Sequence, residues 1–512
     1  MSSYQTLLRR ISTLSVALAL AMMFVACDSF VANVDQPIDE AGSDQFSDPA
    51  EAEFLITGIE SQWADSHSGV ADLADGLSDE LRFGINADAT FPTFSELDAG
   101  IIAEDNNSIT GSLNDLQEYR YLADDLLRRV EEDDQFDLSD PSATASEEEV
   151  RLAANLHGAN ARYYLATYFG HPDDPRRGGA TIDTSAFIPS PELYQEAEDK
   201  YAEALAQAEV LGDDAEQRQI QAARARAALY AGTHDFQDTG GFQGEEALDA
   251  AAEYAQEALE EGESWDVLYD LNTSNVYHTE AGAGRLQLAV QDGNLFQLST
   301  EGENPSESYR VADEDTGELV ARSHIETIAN NPEELSRIPL TIINSGGTTL
   351  GGFGALPENL QNLALGDESF PAVFNDWQPD GEANEIFGGD AEIIEWGQGK
   401  WEQRTNMPFI SWQELFLIRA ELELRGRDTG SESALDLVNT VRASFGLSDL
   451  SDIDMEQLAV ERDRTLFATG HRLPDQRRMD VVEWHLEDQV GDQTTAQWLQ
   501  LTRAETEPNP NF

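Results

Sequence analysis

At 512 residues the chain is long enough for several ordinary domains or one large helical assembly. Its 99 acidic residues against 30 basic ones give a formal net charge of -69, which repels phosphate backbones and argues against nucleic-acid binding. The single cysteine, Cys27, excludes an intrachain disulfide.

The acidic residues run through segments that also carry regular apolar spacing, unlike those of an acidic disordered protein. Only Lys200 and Lys400 are lysines. A surface this acidic and lysine-poor suits a saline milieu, where mobile cations screen self-repulsion.

At the N-terminus, Arg9 and Arg10 precede an apolar run over 11–25, and Ala26 stands directly before Cys27. The run is short for a membrane span and has the anatomy of a secretion signal. Its ending resembles a bacterial lipoprotein signal, although Phe24 stands where Leu is usual. The resemblance implies that residues 1–26 are a signal peptide and that Cys27 is lipidated. Residues 27–50 then form an acidic tether. No later stretch is apolar enough to span a bilayer, so lipid would be the only anchor.

From Glu51 the pattern is helical, with Phe54, Leu55, Ile59 and Trp63 on one face. Residues 72–98 are expected to break into loop and hold Phe83, Phe91 and Phe94 close together. A second helix is predicted over 113–132. Segments 148–170, 192–212, 215–235 and 245–262 follow, with small residues at regular spacing and Tyr or Leu between them. Closely packed helix pairs need that pattern, which is tetratricopeptide-like in style. The fold class is therefore mainly α, a tetratricopeptide-like helical-repeat scaffold with a loop-rich layer containing small strands. One domain is expected over 51–512: scaffold over 51–263 and 406–490, loop-rich insertion over 264–405. In that insertion Gly and Asn rise, and 285–290 and 339–343 read as short strands.

The last third carries Glu414 and Glu421 two turns apart on one helix face. It also concentrates Arg462, Arg464, Arg472, Arg477 and Arg478. These opposite charges are expected to clamp helices together rather than to catalyse.

Chemistry-bearing motifs are scarce. The sequence has no G-x-S-x-G elbow, no H-E-x-x-H zinc helix and no Walker-type loop, and its eight histidines fall singly. Neither a cofactor nor a metal-ligand set is predicted. Segment 313–317 (DEDTG) reads as an acidic hairpin turn rather than a calcium loop. The remaining signal is aromatic: Phe374, Trp377, Phe387 and Trp396 are interleaved with Asn, Asp and Gln. Flat rings stack on the apolar faces of sugars while neighbouring polar groups bond the hydroxyls. The same rings would serve equally as packing plugs beneath long loops.

The C-terminal segment resembles the SusD/RagB family of surface lipoproteins. Ile410, Glu414, Leu417, Ala420, Glu421 and Gly426 fit the first part of its pattern; Ala434, Leu435, Val438, Asn439, Val441, Arg442, Gly446 and Leu447 fit the second. Glu461, Arg462, Phe467, Gly470, Arg472, Asp475 and Arg478 fit the next, with Thr465 and Thr469 departing from acidic positions. The closing 505–512 (ETEPNPNF) and, more loosely, 148–170 also match. The resemblance implies four tetratricopeptide-like units and a non-catalytic role at the outer membrane. There such proteins capture nutrients, commonly glycans, and hand them to a SusC-like TonB-dependent transporter. It places Trp401, beside Lys400, in a structural strand and hence in the core. The ligand-binding candidates are then Phe83, Phe91, Phe374, Trp377 and Trp396. Two alternatives remain: a peptide-binding member, and an acidic helical-repeat scaffold for protein partners.

Overall fold

A computed structural model describes residues 48–78, 80–83, 92–98, 100–133, 136–174, 176–236, 240–270, 273–281, 288–290, 310–312, 319–321, 332–344, 349–352, 394–479 and 496–512. The N-terminal half holds α1 (Ala52–Leu77), α2 (Pro92–Asp98), α3 (Asn107–Glu132), α4 (Glu147–Tyr168), α5 (Ser190–Leu211), α6 (Asp214–Thr233), α7 (Gly244–Gln256) and α8 (Val276–Ala281). Helices return as α9 (Trp412–Leu424), α10 (Ala434–Ser444), α11 (Met455–Thr465), α12 (Arg472–Met479) and α13 (Arg503–Thr506). The main pairings are α1 with α3, α4 with α5, α6 with α7, and α9 with α10. Helix α4 also packs on α3, and α6 on α5, so the pairs stack into one continuous core.

Local sequence explains where these helices start and stop. Ser146 with Glu149, and Ser433 with Asp436, form capping boxes at α4 and α10. Asn106, Asp213, Ser411 and Asp454 each accept a hydrogen bond from a first-turn amide. Gly212 ends α5 in the left-handed region (φ 71°), where a Cβ would be strained. Alanines on α6 (Ala222, Ala223, Ala225, Ala227, Ala228, Ala231) let neighbours approach, and Tyr163, Tyr164, Tyr201 and Tyr230 fill the space between.

Four helix expectations need correction. Residues 92–98, expected as loop, form α2. Helix α1 runs on through residues 72–77, where a loop was expected. Its polar residues there are buried and held by tertiary partners, Asp75 Oδ2 accepting from Tyr277 Oη (2.7 Å) and the Gly470 amide (2.9 Å). Phe54 does not share the buried face of Ile59 and Trp63 but is 61% exposed. Helix α7 ends at Gln256, short of 262.

Short strands knit the helical parts together. They are β1 (Leu81–Phe83), β2 (Phe169–Gly170), β3 (Gly179–Ala180), β4 (Ile188–Pro189), β5 (Ser264–Val267), β6 (Leu288–Val290), β7 (Arg310–Ala312) and β8 (Leu319–Ala321). Then come β9 (Leu340–Asn344), β10 (Thr349–Gly352), β11 (Ile394–Gln398), β12 (Met407–Ser411) and β13 (Leu499–Gln500). Strands β7 and β8 pair antiparallel, Val311 opposite Val320, and the 313–317 segment between them lies outside the described residues. Strand β12 pairs antiparallel with β5, Ile410 opposite Trp265, and a register shift between Pro408 and Ile410 lets Phe409 and Ile410 both be buried. Strand β13 pairs in parallel with β2, bringing Trp498 against Gly178, where a Cβ would stand 2.3 Å from the indole.

The charges of the last third do clamp helices. Arg478 Nη1 donates to Glu421 (2.6 Å), Arg462 Nε to Asp475 (2.8 Å), and Arg442 Nη1 to Glu461 (2.7 Å). Glu461 also accepts from Arg337 (2.6 Å), which is bound to Glu334 as well. Glu414 takes its arginine, Arg226, from α6 (3.3 Å). Trp401 is core, its indole N–H donating to the Ala468 carbonyl, but it and Lys400 lie just past β11 rather than in a strand.

Buried histidines give this core a pH dependence. His157 sits between helices with Nδ1 2.8 Å from Tyr119 Oη, and burial lowers it to about 3. Because the folded value lies below the unfolded one, its contribution is fully present above pH 6.5 and is lost as pH falls towards 3. The stability gap between wild type and His157→Gln should therefore narrow as pH drops from 7 to 4.5. The expected slope is about tenfold in the folding constant per pH unit. Paired urea titrations measure it, and a gap independent of pH would mean that His157 takes up its proton as readily in the fold as in the unfolded chain.

Candidate ligand-binding face

The short strands that carry two of the predicted aromatics lie side by side. Phe83 is the last residue of β1, in register with Leu288 of β6. Trp396 is central in β11, in register with Ile342 of β9, and β10 extends that sheet beyond β9. Strand β6 contacts both β1 and β11, and α8 contacts both β6 and β11. The backbone thus brings Phe83 and Trp396, more than 300 residues apart in sequence, to strands flanking β6. Phe91, Phe374 and Trp377 lie outside the described residues, as does Cys27.

Beneath β1 and α8 lies a buried polar floor. Asp75 binds Tyr277 of α8 and the Gly470 amide, and Gln476 Nε2 donates to the Ser78 carbonyl (2.8 Å). Burial, then the Asp463 charge, pushes Glu80 up to about 7; burial together with Glu80 pushes Asp75 well above the usual carboxylate range. Lys400 donates to the Phe467 carbonyl (2.8 Å), and burial lowers it to about 8. These groups tie the end of α1 to α8 and to the loop before α12, and Glu80 directly precedes β1. The sequence held a trace of this floor in the run of Ser and Asp at the end of α1, which was read as loop.

Two open clefts that sequence reasoning missed adjoin Arg503, with volumes of about 370 and 580 Å³. Arg503 pairs with Glu104 across their rim, and both are exposed. Phe512, in the smaller one, is the aromatic among their lining residues, so neither has the paired flat rings of a sugar platform. Among the described residues no group of three or more His, Cys, Asp or Glu could hold a metal ion. Among them, too, no helix is long and apolar enough to cross a membrane.

Comparison with solved structures settles the architecture. A SusD superfamily protein of Bacteroides vulgatus superposes with a TM-score of 0.55 at 15% identity, over 91% of this chain and 98% of that one. One from Parabacteroides distasonis gives 0.55 at 12% identity, over 92% and 98%. The chain has the SusD fold. A laminarin-binding SusD-like protein also matches, with a TM-score of 0.51 at 14% identity, over 90% of this chain and 99% of that one. No family model matches the sequence, and neither does any curated protein. In this SusD-like chain the stacked helix pairs form the scaffold, and β1, β6 and β9–β11 belong to the layer laid upon it.

Proposed function

We propose that this chain is a non-catalytic, surface-exposed lipoprotein of the outer membrane. It captures glycans or oligosaccharides and delivers them to a SusC-like TonB-dependent transporter. The supporting observation is the SusD fold along nearly the whole chain, shared with a laminarin-binding protein, combined with the juxtaposition of the Phe83 and Trp396 strands around β6. Residues 1–26 act as the signal, Cys27 carries the lipid, and 27–50 tether the domain over 51–512. Phe83, Phe91, Phe374, Trp377 and Trp396 supply the stacking surface.

The test is glycan-array screening at molar salt, then calorimetric titration of the best ligand. Each lost aromatic contact is worth about 0.5–1.5 kcal/mol, so Trp377→Ala with Trp396→Ala should weaken binding about fivefold to 150-fold. Unchanged affinity removes these residues from the site, and turnover of the glycan by pure protein overturns the non-catalytic reading. Binding of a peptide pool in place of every glycan favours the peptide-binding alternative.

A further inference from the structure

A second site lies inside the scaffold, away from the aromatic layer. His67 of α1, Tyr163 and Tyr168 of α4, Arg226 of α6, Phe409 of β12 and His471 wall a cavity with room of about 10 Å³, enough for the centre of one water-sized sphere. Arg226 is 1% exposed, and its guanidinium lies over the rings of Phe409 (4.1 Å) and Tyr163 (4.6 Å). Its Nη1 donates to the Phe409 carbonyl and to Glu414. Nε and Nη2, the two donors of the opposite forked edge, find no acceptor among the described residues. That edge is the one with which guanidinium grips a single anion.

A third donor faces the same space. Trp63 Nε1 donates to Tyr164 Oη (3.3 Å), and that oxygen lies 2.6 Å from His67 Nδ1. Burial and Arg226 lower His67 to about 3, so the ring is neutral. We assign the tautomer in which Tyr164 donates to Nδ1 and Nε2 carries the proton. Nε2 likewise has no acceptor, and His67 is 5% exposed. Burial, then the charges of Arg226 and Arg462, pushes His471 well below the usual histidine range; the Glu414 carboxylate lies 3.7 Å from its Nε2 and 3.3 Å from Arg226 Nη1.

Three buried N–H groups, Arg226 Nε and Nη2 and His67 Nε2 in the assigned tautomer, lack an acceptor among the described residues, as Tyr163 Oη on the same wall lacks a partner. Water would accept two of the N–H groups and give one hydrogen to Tyr163 Oη, leaving its second without an acceptor; a halide takes every one of these donors and needs no acceptor. The room excludes phosphate, sulfate and carboxylates. We propose that the cavity binds one halide ion, chloride in a saline medium, held by Arg226 Nε and Nη2 and by His67 Nε2. The ion then joins α1, α6 and β12, the first helix, the middle repeats and the C-terminal part.

The test uses the whole mature chain. Crystals grown in sodium bromide, measured at the bromine absorption edge, should show an anomalous peak within hydrogen-bond reach of Arg226 Nη2 and His67 Nε2. In solution, chloride replaces gluconate at constant sodium concentration, so that screening of the -69 charge is held fixed. The melting temperature should rise with chloride and saturate, by several degrees, against the ordinary ranking in which the better-hydrated anion stabilises more. His67→Phe should lose most of that rise while keeping the wild-type helical signal; should that variant fail to fold, the bromide map and the wild-type titration decide. Ordinary water density without an anomalous peak overturns the proposal, as does a bromide peak with no chloride-dependent stabilisation.

Discussion

Glu461→Ala is expected to cost about 3–5 kcal/mol of folding stability, among the largest effects of any single polar substitution in this chain. Glu461 is 1% exposed and accepts from Arg337 and Arg442 at 2.6 and 2.7 Å, so one carboxylate joins the turn at Pro332–Ser336, α10 and α11. Removing it strands the buried Arg442 and takes from Arg337 one of its two carboxylates, Glu334 remaining, so the penalty is chiefly the lost counter-charge of Arg442. Glu461→Gln keeps the shape and should recover only part of the loss, because the amide leaves the charge of Arg442 uncompensated. Arg503→Ala is the control: its partnership with Glu104 is solvent-exposed on both sides, and its loss should leave stability unchanged. Urea denaturation of the three variants reads the contrast directly. A Glu461→Ala protein within about 1 kcal/mol of wild type would show that the buried cluster is not what holds the C-terminal helices.

Phe409→Ala should destabilise by a similar amount, about 3–5 kcal/mol, for an apolar reason. Phe409 packs edge-on against Trp63, Tyr163 and Trp265, with ring centroids 5.3, 5.9 and 4.8 Å away, and its other neighbours include His67 and Tyr164. Its ring also covers the Arg226 guanidinium. Truncation opens a cavity where α1, α4 and β5 meet and removes one of the two faces between which that arginine is stacked. Phe409→Leu retains most of the volume and should lose less than half as much. Thermal and urea unfolding measure both, and a loss confined to about 1 kcal/mol would mean that the surrounding aromatics collapse into the space.

Much of the scaffold was legible before any coordinates. Apolar spacing located the main helices because each buries one face and needs its side chains at helical intervals. Capping residues such as Ser146 and Ser433 mark starts through purely local hydrogen bonds. Glu421, Arg462 and Arg478 were legible as clamps because charge is so lopsided here that clustered arginines need partners. Phe54 was misread because at about 100° per residue it stands about 180° round the helix from Trp63, so the helical period itself puts it on the outer face. The end of α1 was misread because its serines and aspartates find partners 200 to 400 residues away, in Tyr277, Gly470 and Gln476.

The candidate site divides the same way. Composition alone singled out the aromatic layer, since rings set among Asn, Asp and Gln are unusual in a core. That Phe83 and Trp396 belong to strands around β6 is a matter of register between segments far apart in the chain, which no local pattern encodes.

The charged last third held both kinds of information. The sequence by itself determined that the chain is helical, built of packed pairs, intensely acidic, and marked at its C-terminus by paired glutamates and arginines. Those properties follow from periodicity and composition, which act locally. Only the tertiary structure decided which arginine meets which glutamate. It also decided that Phe409 enters the core through a strand bulge, and that Arg226 turns an unshared edge towards a buried cavity. Each of these depends on where distant segments meet, and burial removes the water that would otherwise make the choice of partner unimportant.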